Sequence, residues 1–323
     1  MKPSVIVGVV LVLIILVSVI VYMHYFSGTQ TVVPSTTTAP PKNLRIVSLA
    51  PSDTQILISL GLGKDIVGMD IYSYQLLEDL NETSLVPSNV TVFNNICPPN
   101  ISGILLLHPN KVLVEYGLDA HYIPEMEKAG LPLMITNNDY ALSLAQIEEN
   151  IISIAESLND TQAGMQVVKW MESQVENYTP TVSTAYFDWI CSNGEAYTAG
   201  GDVFINNVLE LAGGYNVFEN FSGYPEVTPS KVLLADPSII IAQSVYNYSY
   251  TMTLIKEYFT NTSAVEDGKV YIISGLAVDL LDEPGPLSVY GVIMLHKILT
   301  GQAPHYVNTT WVRTNINVSI PVY

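Results

Sequence analysis

The chain has 323 residues, 49% of them hydrophobic and only 13% charged, against about 25% charged in an ordinary soluble domain. Its 30 acids against 12 bases leave a formal charge of −18, which argues against a nucleic-acid partner, because phosphate binding needs a basic footprint. Length allows two domains of ordinary size.

In chain order, Val5 to Tyr25 is almost entirely Val, Ile and Leu, and roughly 20 such residues span a bilayer core. Lys2 flanks it on one side and no base follows closely on the other, which puts the later residues outside the cell. A cleaved signal peptide would have a shorter apolar region and an A-x-A-like site, so a retained transmembrane signal-anchor is expected over residues 1–26. Residues 27–42 are rich in Ser, Thr and Pro and read as an extended stalk.

Beyond the stalk, short apolar strands alternate with helical periods, the α/β pattern. Strands are expected over Leu44–Ala50, Ile66–Asp70, Lys111–Tyr116, Leu131–Thr136, Thr184–Ile190, Ser238–Gln243 and Lys269–Ser274. Helices are expected from Pro51 to Gly61, Ile101 to Leu107, Asp119 to Ala129, Ser143 to Leu158 and Thr161 to Tyr178, then Phe204 to Ala212, near Pro229 to Leu234, Thr251 to Phe259 and Pro286 to Leu299. ISGILLLHPNKVLVEY and TPSKVLLADPSIIIAQS both run short helix, x-Pro, apolar strand. The echo favours two similar α/β lobes over one large sheet: an N-terminal lobe over 43–158, a linking backbone helix over 159–178 and a C-terminal lobe over 179–323.

Ten N-x-[ST] sequons, at Asn81, Asn89, Asn100, Asn159, Asn177, Asn220, Asn247, Asn261, Asn308 and Asn317, exceed the about 3 that chance would give for this content of Asn, Ser and Thr. They predict a glycosylated exterior of archaeal or eukaryotic cell-surface type, wetted by sugar where Lys and Glu are scarce. Cys97 and Cys191 are the only thiols; outside the cell they could pair, but two cysteines give neither a disulfide framework nor metal-ligand spacing.

RIVSLAPSDTQILISLGLGKDIVGMDIYSY, GGDVFINNVLELAGGYNVFENFSGYPEVTPSKVLLADPSIII and GKVYIISGLAVDLLDEPGP resemble, in order, the opening, second-lobe opening and closing segments of the substrate-binding proteins of ABC importers for vitamin B12, siderophores and haem. The resemblance spans about residues 44–300. It implies two lobes joined by one long helix, a ligand held in the cleft between them, and delivery to a permease with its ATPase. The ligand it implies is cobalamin, haem or a ferric siderophore, carried as cargo, with no intrinsic cofactor.

Tyrosine makes up 20 of the 20 Tyr, 7 Phe and 3 Trp, and such rings with a polar tip suit a bulky planar ligand. Tyr72 and Tyr74 follow an expected strand, Tyr116 ends one and Tyr246 follows another, where ligands of open α/β sheets sit; the resemblance implies that Tyr72, Tyr197 and Tyr224 stand where B12-binding relatives carry aromatic ligand contacts, and these six are the candidate ligand contacts, with Trp189 offered by the second lobe as well. The resemblance also implies one carboxylate per lobe for docking onto permease arginines. Ser230 stands at the second-lobe glutamate position, leaving Glu226 as a substitute, and Asp119 or Glu125 are the nearest in the first lobe. The closing motif reads Pro284-Gly285-Pro286-Leu287, without the arginine that often ends it. That loss and the scarcity of bases disfavour a highly anionic ligand.

His108, His121, His296 and His305 do not share the spacing of a metal site, so direct binding of a transition-metal ion is the lesser alternative, beside a surface receptor or adhesin without transport. No nucleophile elbow, Walker A or zincin motif occurs, and Asp282 and Glu283 are expected together in a loop, with Asp188 ending a strand. The chain is not expected to be an enzyme.

Overall fold

A computed structural model describes residues 44–176 and 178–323. The expected anchor and stalk, and the sequon at Asn177, lie outside the described residues. Among the described residues no helix is long and apolar enough to cross a membrane.

Five short strands build the first sheet: β1 (Ile46–Ser48), β2 (Ile66–Asp70), β3 (Thr91–Phe93), β4 (Lys111–Glu115) and β5 (Leu133–Thr136). All pairings are parallel, in the order β3-β2-β1-β4-β5. Strands covered by helices on both faces can be apolar throughout, and Ile46, Val47, Val112, Leu113 and Val114 are fully buried. The chain runs from β1 outward through β2 to β3 at one edge, then crosses back to β4 on the other side of β1. The crevice beyond its carboxyl end is where such sheets take ligands.

The second sheet is larger and mixed. Its strands are β6 (Val182–Ile190), β7 (Ala196–Thr198), β8 (Gly214–Asn216), β9 (Glu226–Val227), β10 (Ile239–Gln243), β11 (Val270–Ile273) and β12 (Tyr306–Val307). They run β12-β11-β10-β6-β7-β9, with β8 added parallel to the start of β6 and β7 antiparallel to both β6 and β9. The echo between the lobes is conformational as well: the helices Ile101–Leu106 and Pro229–Ala235 are followed by His108 (φ 46°) and Asp236 (φ 43°), each just before a proline and a central strand. A left-handed residue ends a helix and re-aims the chain.

Between the sheets stand two helices, Leu144–Ser157 and Thr161–Gln174. They fold back on each other at Asn159 (φ 61°), and Asp160 caps the second by accepting from the Ala163 N–H. Gly164 makes their crossing close, since an added Cβ there would lie 2.6 Å from the Ala155 Cβ. The connecting element is thus a helical hairpin, and its second helix ends at Gln174, short of the expected Tyr178. One apolar cluster runs through all three parts, from Ile46 and Leu57 through Ile151 and Met171 to Tyr186, Ile241 and Leu295. The outer faces of the two sheets carry separate, smaller clusters.

The end of the chain returns to the first lobe. Arg313, on the helix Thr309–Asn315, donates to the carbonyls of Glu78 and Asp79, and the Tyr323 N–H donates to the Ser59 carbonyl at 3.0 Å. A shared core and these ties make the junction between lobes stiff.

Two local expectations are corrected. Tyr72 and Tyr74 are not on a loop: Asp70 accepts from the Ser73 N–H at 2.9 Å and starts a helix, Ile71–Leu80, the usual effect of an acidic N-cap. Asp282 is not in a loop either, but ends the helix Leu276–Asp282. Cys97 and Cys191 are free thiols, one in each lobe.

Candidate binding cleft

A cavity of about 550 Å³ opens between the two sheets, inside the range of ligand pockets, about 300–1,000 Å³. The first lobe contributes Asp139 and Tyr140, from the turn after β5; the second contributes Asp188 near the end of β6, Phe204 at the start of the helix Phe204–Leu211, Tyr224, and Asp282. Asp139, Tyr140 and Asp188 stand at or just beyond a strand's carboxyl end, whereas Phe204 and Asp282 lie at the ends of helices and Tyr224 precedes β9.

Behind the first-lobe wall lies a buried polar network. Thr136 Oγ1 and Asn138 Nδ2 donate to the Asp53 carboxylate at 2.9 and 3.1 Å. Asn138 Nδ2 also donates to Glu115 at 3.1 Å, and the Asp139 N–H donates to the other Glu115 oxygen at 3.2 Å. Asp53 and Glu115 are both fully buried. Burial, and then the Glu115 charge, pushes Asp53 well above the usual carboxylate range. Burial likewise raises Glu115. Burial and the Glu115 charge bring Asp139 up to about 7.

The second-lobe wall is acidic too, but less satisfied. Gln243 Nε2, at the end of β10, donates to Asp282 at 2.8 Å and to the Tyr186 hydroxyl at 3.0 Å. Asp282 is surrounded by protein yet open to the cavity, and burial raises it to about 6. Asp188 reaches about 7 through burial and the Asp282 charge, and its Oδ2 has no hydrogen-bond partner. Glu283, next in the chain, is raised by burial first and then by Asp279, Asp70 and Asp139, so the acids of both lobes lie within one another's fields.

The sequence candidates divide into three groups. Tyr224 lines the cavity, and Tyr116 does not, but its ring is 6.2 Å from that of Tyr140, which does. Tyr72 is exposed near the start of its helix, and Tyr74 turns to a different hollow beside Lys64 and Val86. Tyr197 lies opposite Trp189 across β6 and β7, and the ring of Tyr246, 82% exposed, is 6.0 Å from the Trp189 ring; neither tyrosine lines the cavity. Sequence reading missed Asp139 and Tyr140, whose signal was their place directly after an apolar strand.

Of the expected docking acids, Glu125 and Glu226 are exposed. Asp119 is not: it is 1% exposed, and burial followed by the Asp70, Asp139 and Glu115 charges lifts it to about 7. A residue so enclosed cannot meet an arginine of another protein on this surface. Leu287 is also buried, in the shared core, so the closing motif's last position does not face the cavity. Asn81, Asn89, Asn100, Asn159, Asn220, Asn247, Asn261 and Asn317 are exposed and Asn308 is half-buried; Asn100, Asn247 and Asn308 also cap helices through their side chains. His296 and His305 hydrogen-bond to backbone carbonyls and stack on Tyr178 and Tyr271. Among the described residues no group of three or more His, Cys, Asp or Glu is placed to hold a metal ion.

Fold and cleft together define a two-lobed α/β protein with a ligand-sized cavity at the carboxyl ends of its strands. The periplasmic binding protein family profile matches residues 46–275, and the chain belongs to that family. An uncharacterized ABC transporter substrate-binding lipoprotein of Bacillus subtilis is 24% identical over 258 residues, 77% of each chain. A vitamin B12-binding protein of Vibrio vulnificus is 27% identical over 199 residues, 60% of this chain and 68% of its own. The periplasmic haem-binding protein of Roseiflexus, in its apo form, superimposes with a TM-score of 0.63 at 19% identity, covering 80% of this chain and 99% of its own, a likeness of fold.

Proposed function

We propose that the chain is the extracytoplasmic solute-binding component of an ABC importer. It captures a corrinoid or an iron chelate, such as cobalamin, a ferric siderophore or haem, in the cavity between the lobes and delivers it to a permease worked by an ATPase. The observation that carries this reading is the cavity of about 550 Å³ walled by both lobes, in a chain whose relatives include a vitamin B12-binding protein. Tyr224 and Tyr116 are the ligand-facing tyrosines in this reading, and Glu125 and Glu226 the docking acids. The apolar N-terminal segment would hold the protein to the membrane with its soluble part outside, and the exposed sequons would carry sugar.

Because the core is continuous from one lobe to the other, capture needs only small movements of the walls. The purified full chain should gain thermal stability with cyanocobalamin, a ferric trihydroxamate or haem, since a ligand that binds only the folded state stabilises it by mass action. A shift with zinc alone would favour the metal-ion reading, and no shift with any of them would favour an adhesin.

A further inference from the structure

We infer that the cleft is built for a ligand of net positive charge inside an apolar or planar shell, an inference that rests on the cavity being the ligand site. Three carboxylates face the cavity from opposite sides, Asp139 from the first lobe and Asp188 and Asp282 from the second. No Lys, Arg or His lines it. Bases are engaged elsewhere: Arg45 donates to the Leu107 carbonyl, Arg313 to carbonyls of the helix Ile71–Leu80, and Lys269 pairs with Asp267. Among the described residues no base lines the cleft to balance its acids.

The walls also contain acceptors without donors. Asp188 Oδ2 and Asp119 Oδ1 have no hydrogen-bond partner, and Asp119 is 1% exposed. Asp119 closes the turn Tyr116–Asp119, which lies against Asp139, because a Cβ added to Gly117 would be 2.8 Å from the Asp139 side chain. An unpartnered buried acceptor is costly, and at Asp188, which lines the cavity, a positively charged ligand offers compensation, while enclosed Asp119 feels it only through its field. An anion would meet only repulsion. A bare divalent ion needs several ligands at one point, and among the described residues no such group exists. The aromatic walls complete the argument: Tyr140, Phe204 and Tyr224 line the same cavity, and aromatic faces attract cations while accepting an organic shell. A cation seated between Asp139 and the Asp188/Asp282 pair would also relieve the repulsion between the lobes and draw the walls together.

Two matched pairs test this, each differing by one unit of charge. The first is the ferric complex of a linear trihydroxamate with a free amine, against the same complex N-acetylated; the second is aquocobalamin against cyanocobalamin. At about pH 7.5 the cationic member of whichever pair binds should do so about tenfold or more tighter, the effect of one charge near ionised acids in a partly wet site. Asp139→Asn, Asp188→Asn and Asp282→Asn should each shrink that ratio, whatever each does to the affinity of the neutral member. Where a variant does not fold, acid replaces it. Around these three the other titratable groups include Asp53, Asp70, Glu115, Asp119, Asp279, Glu283, Tyr186 and Tyr224, none of them a base, so at about pH 5 protonation should shrink the wild-type ratio in the same way. Equal affinities within a pair, or tighter binding of the neutral member, overturns this inference and leaves the cleft as a ligand site. Failure of every member to bind overturns the reading of the cleft itself, and this inference with it.

Discussion

The two walls of the cleft use the same residue types to different ends. In the first lobe Asp53 and Glu115 are fully buried, and each is bonded to the Asn138 amide. In the second lobe Asp188 keeps an oxygen without a donor, and Asp282 has one side-chain partner, Gln243. A carboxyl group whose acceptors are filled by its own lobe holds structure; one that is left open at a cavity costs stability until something arrives. Asp139 joins the two sets, since its N–H caps Glu115 while it lines the cavity.

The strongest way to break this comparison is to remove one acid from each wall. Asp53→Ala removes the acceptor that the Thr136 hydroxyl and the Asn138 amide share, leaving them the Val114 carbonyl and Glu115, empties buried space at the floor of the first lobe, and should cost about 2 kcal/mol of stability. Asp188→Asn keeps the shape, removes a charge that burial disfavours, and should leave stability unchanged or raise it by up to about 1 kcal/mol. Urea unfolding of both variants gives the answer. An Asp188→Asn loss as large as that of Asp53→Ala would erase the distinction.

A second test addresses both walls at once. Asp119, Asp139 and Asp188 are raised to about 7 and Asp282 to about 6, so between the ordinary carboxylate range and these values the folded chain binds more protons than the unfolded one. Stability therefore falls as pH rises through that window. With the shifts discounted for the water that reaches the cavity, the melting temperature of the unliganded protein should be about 5 °C higher near pH 5 than near pH 8. A cationic ligand should narrow that difference. A flat or opposite profile would show that the acids are held ionised by partners of their own.

The junction between the walls offers a smaller effect. The Leu287 N–H donates to Gln55 Oε1 at 3.2 Å, and a Cβ at Gly285 would stand 2.7 Å from that same oxygen. Gly285→Ala should thus displace Gln55 and cost about 1–2 kcal/mol, measurable in the same unfolding experiment, and Gln55→Ala should lose a similar amount. A neutral Gly285→Ala would mean the closing loop moves freely, and the lobes with it.

How far the sequence told these things in advance depended on the range of the interaction. Ile66–Asp70 was readable to the residue as a strand, because an apolar run between turn signals needs only its neighbours. The helix Ile71–Leu80 was not, since the Asp70 carboxylate reads as a strand end until its bond to the Ser73 N–H is seen. Strands of two or three residues, such as Thr91–Phe93 and Glu226–Val227, exist only through their partners and leave no periodicity. In the cavity wall, Asp139 and Tyr140 carried a readable signal, their place directly after an apolar strand, whereas placement that came from long-range packing left none. Asp119 reads as a surface acid from its neighbours in the chain, and only the fold encloses it.

The smallest effect tests the tyrosines. Tyr224 lines the cavity beside the acids: burial first, and then the charges of Asp188, Asp282 and Asp139, push its hydroxyl above the ordinary range, so it stays a neutral donor. Tyr72, on the first turn of its helix, is exposed and does not line the cavity. Tyr224→Ala should weaken the binding of a chelate about tenfold, the scale of one lost aromatic contact with its hydrogen bond, whereas Tyr72→Ala should change it less than about twofold. Both affinities come from one fluorescence titration per variant. Equal losses would extend the site outward over the first lobe's helix, and a larger loss at Tyr72 would move it there, away from the unpaired acids of the second wall.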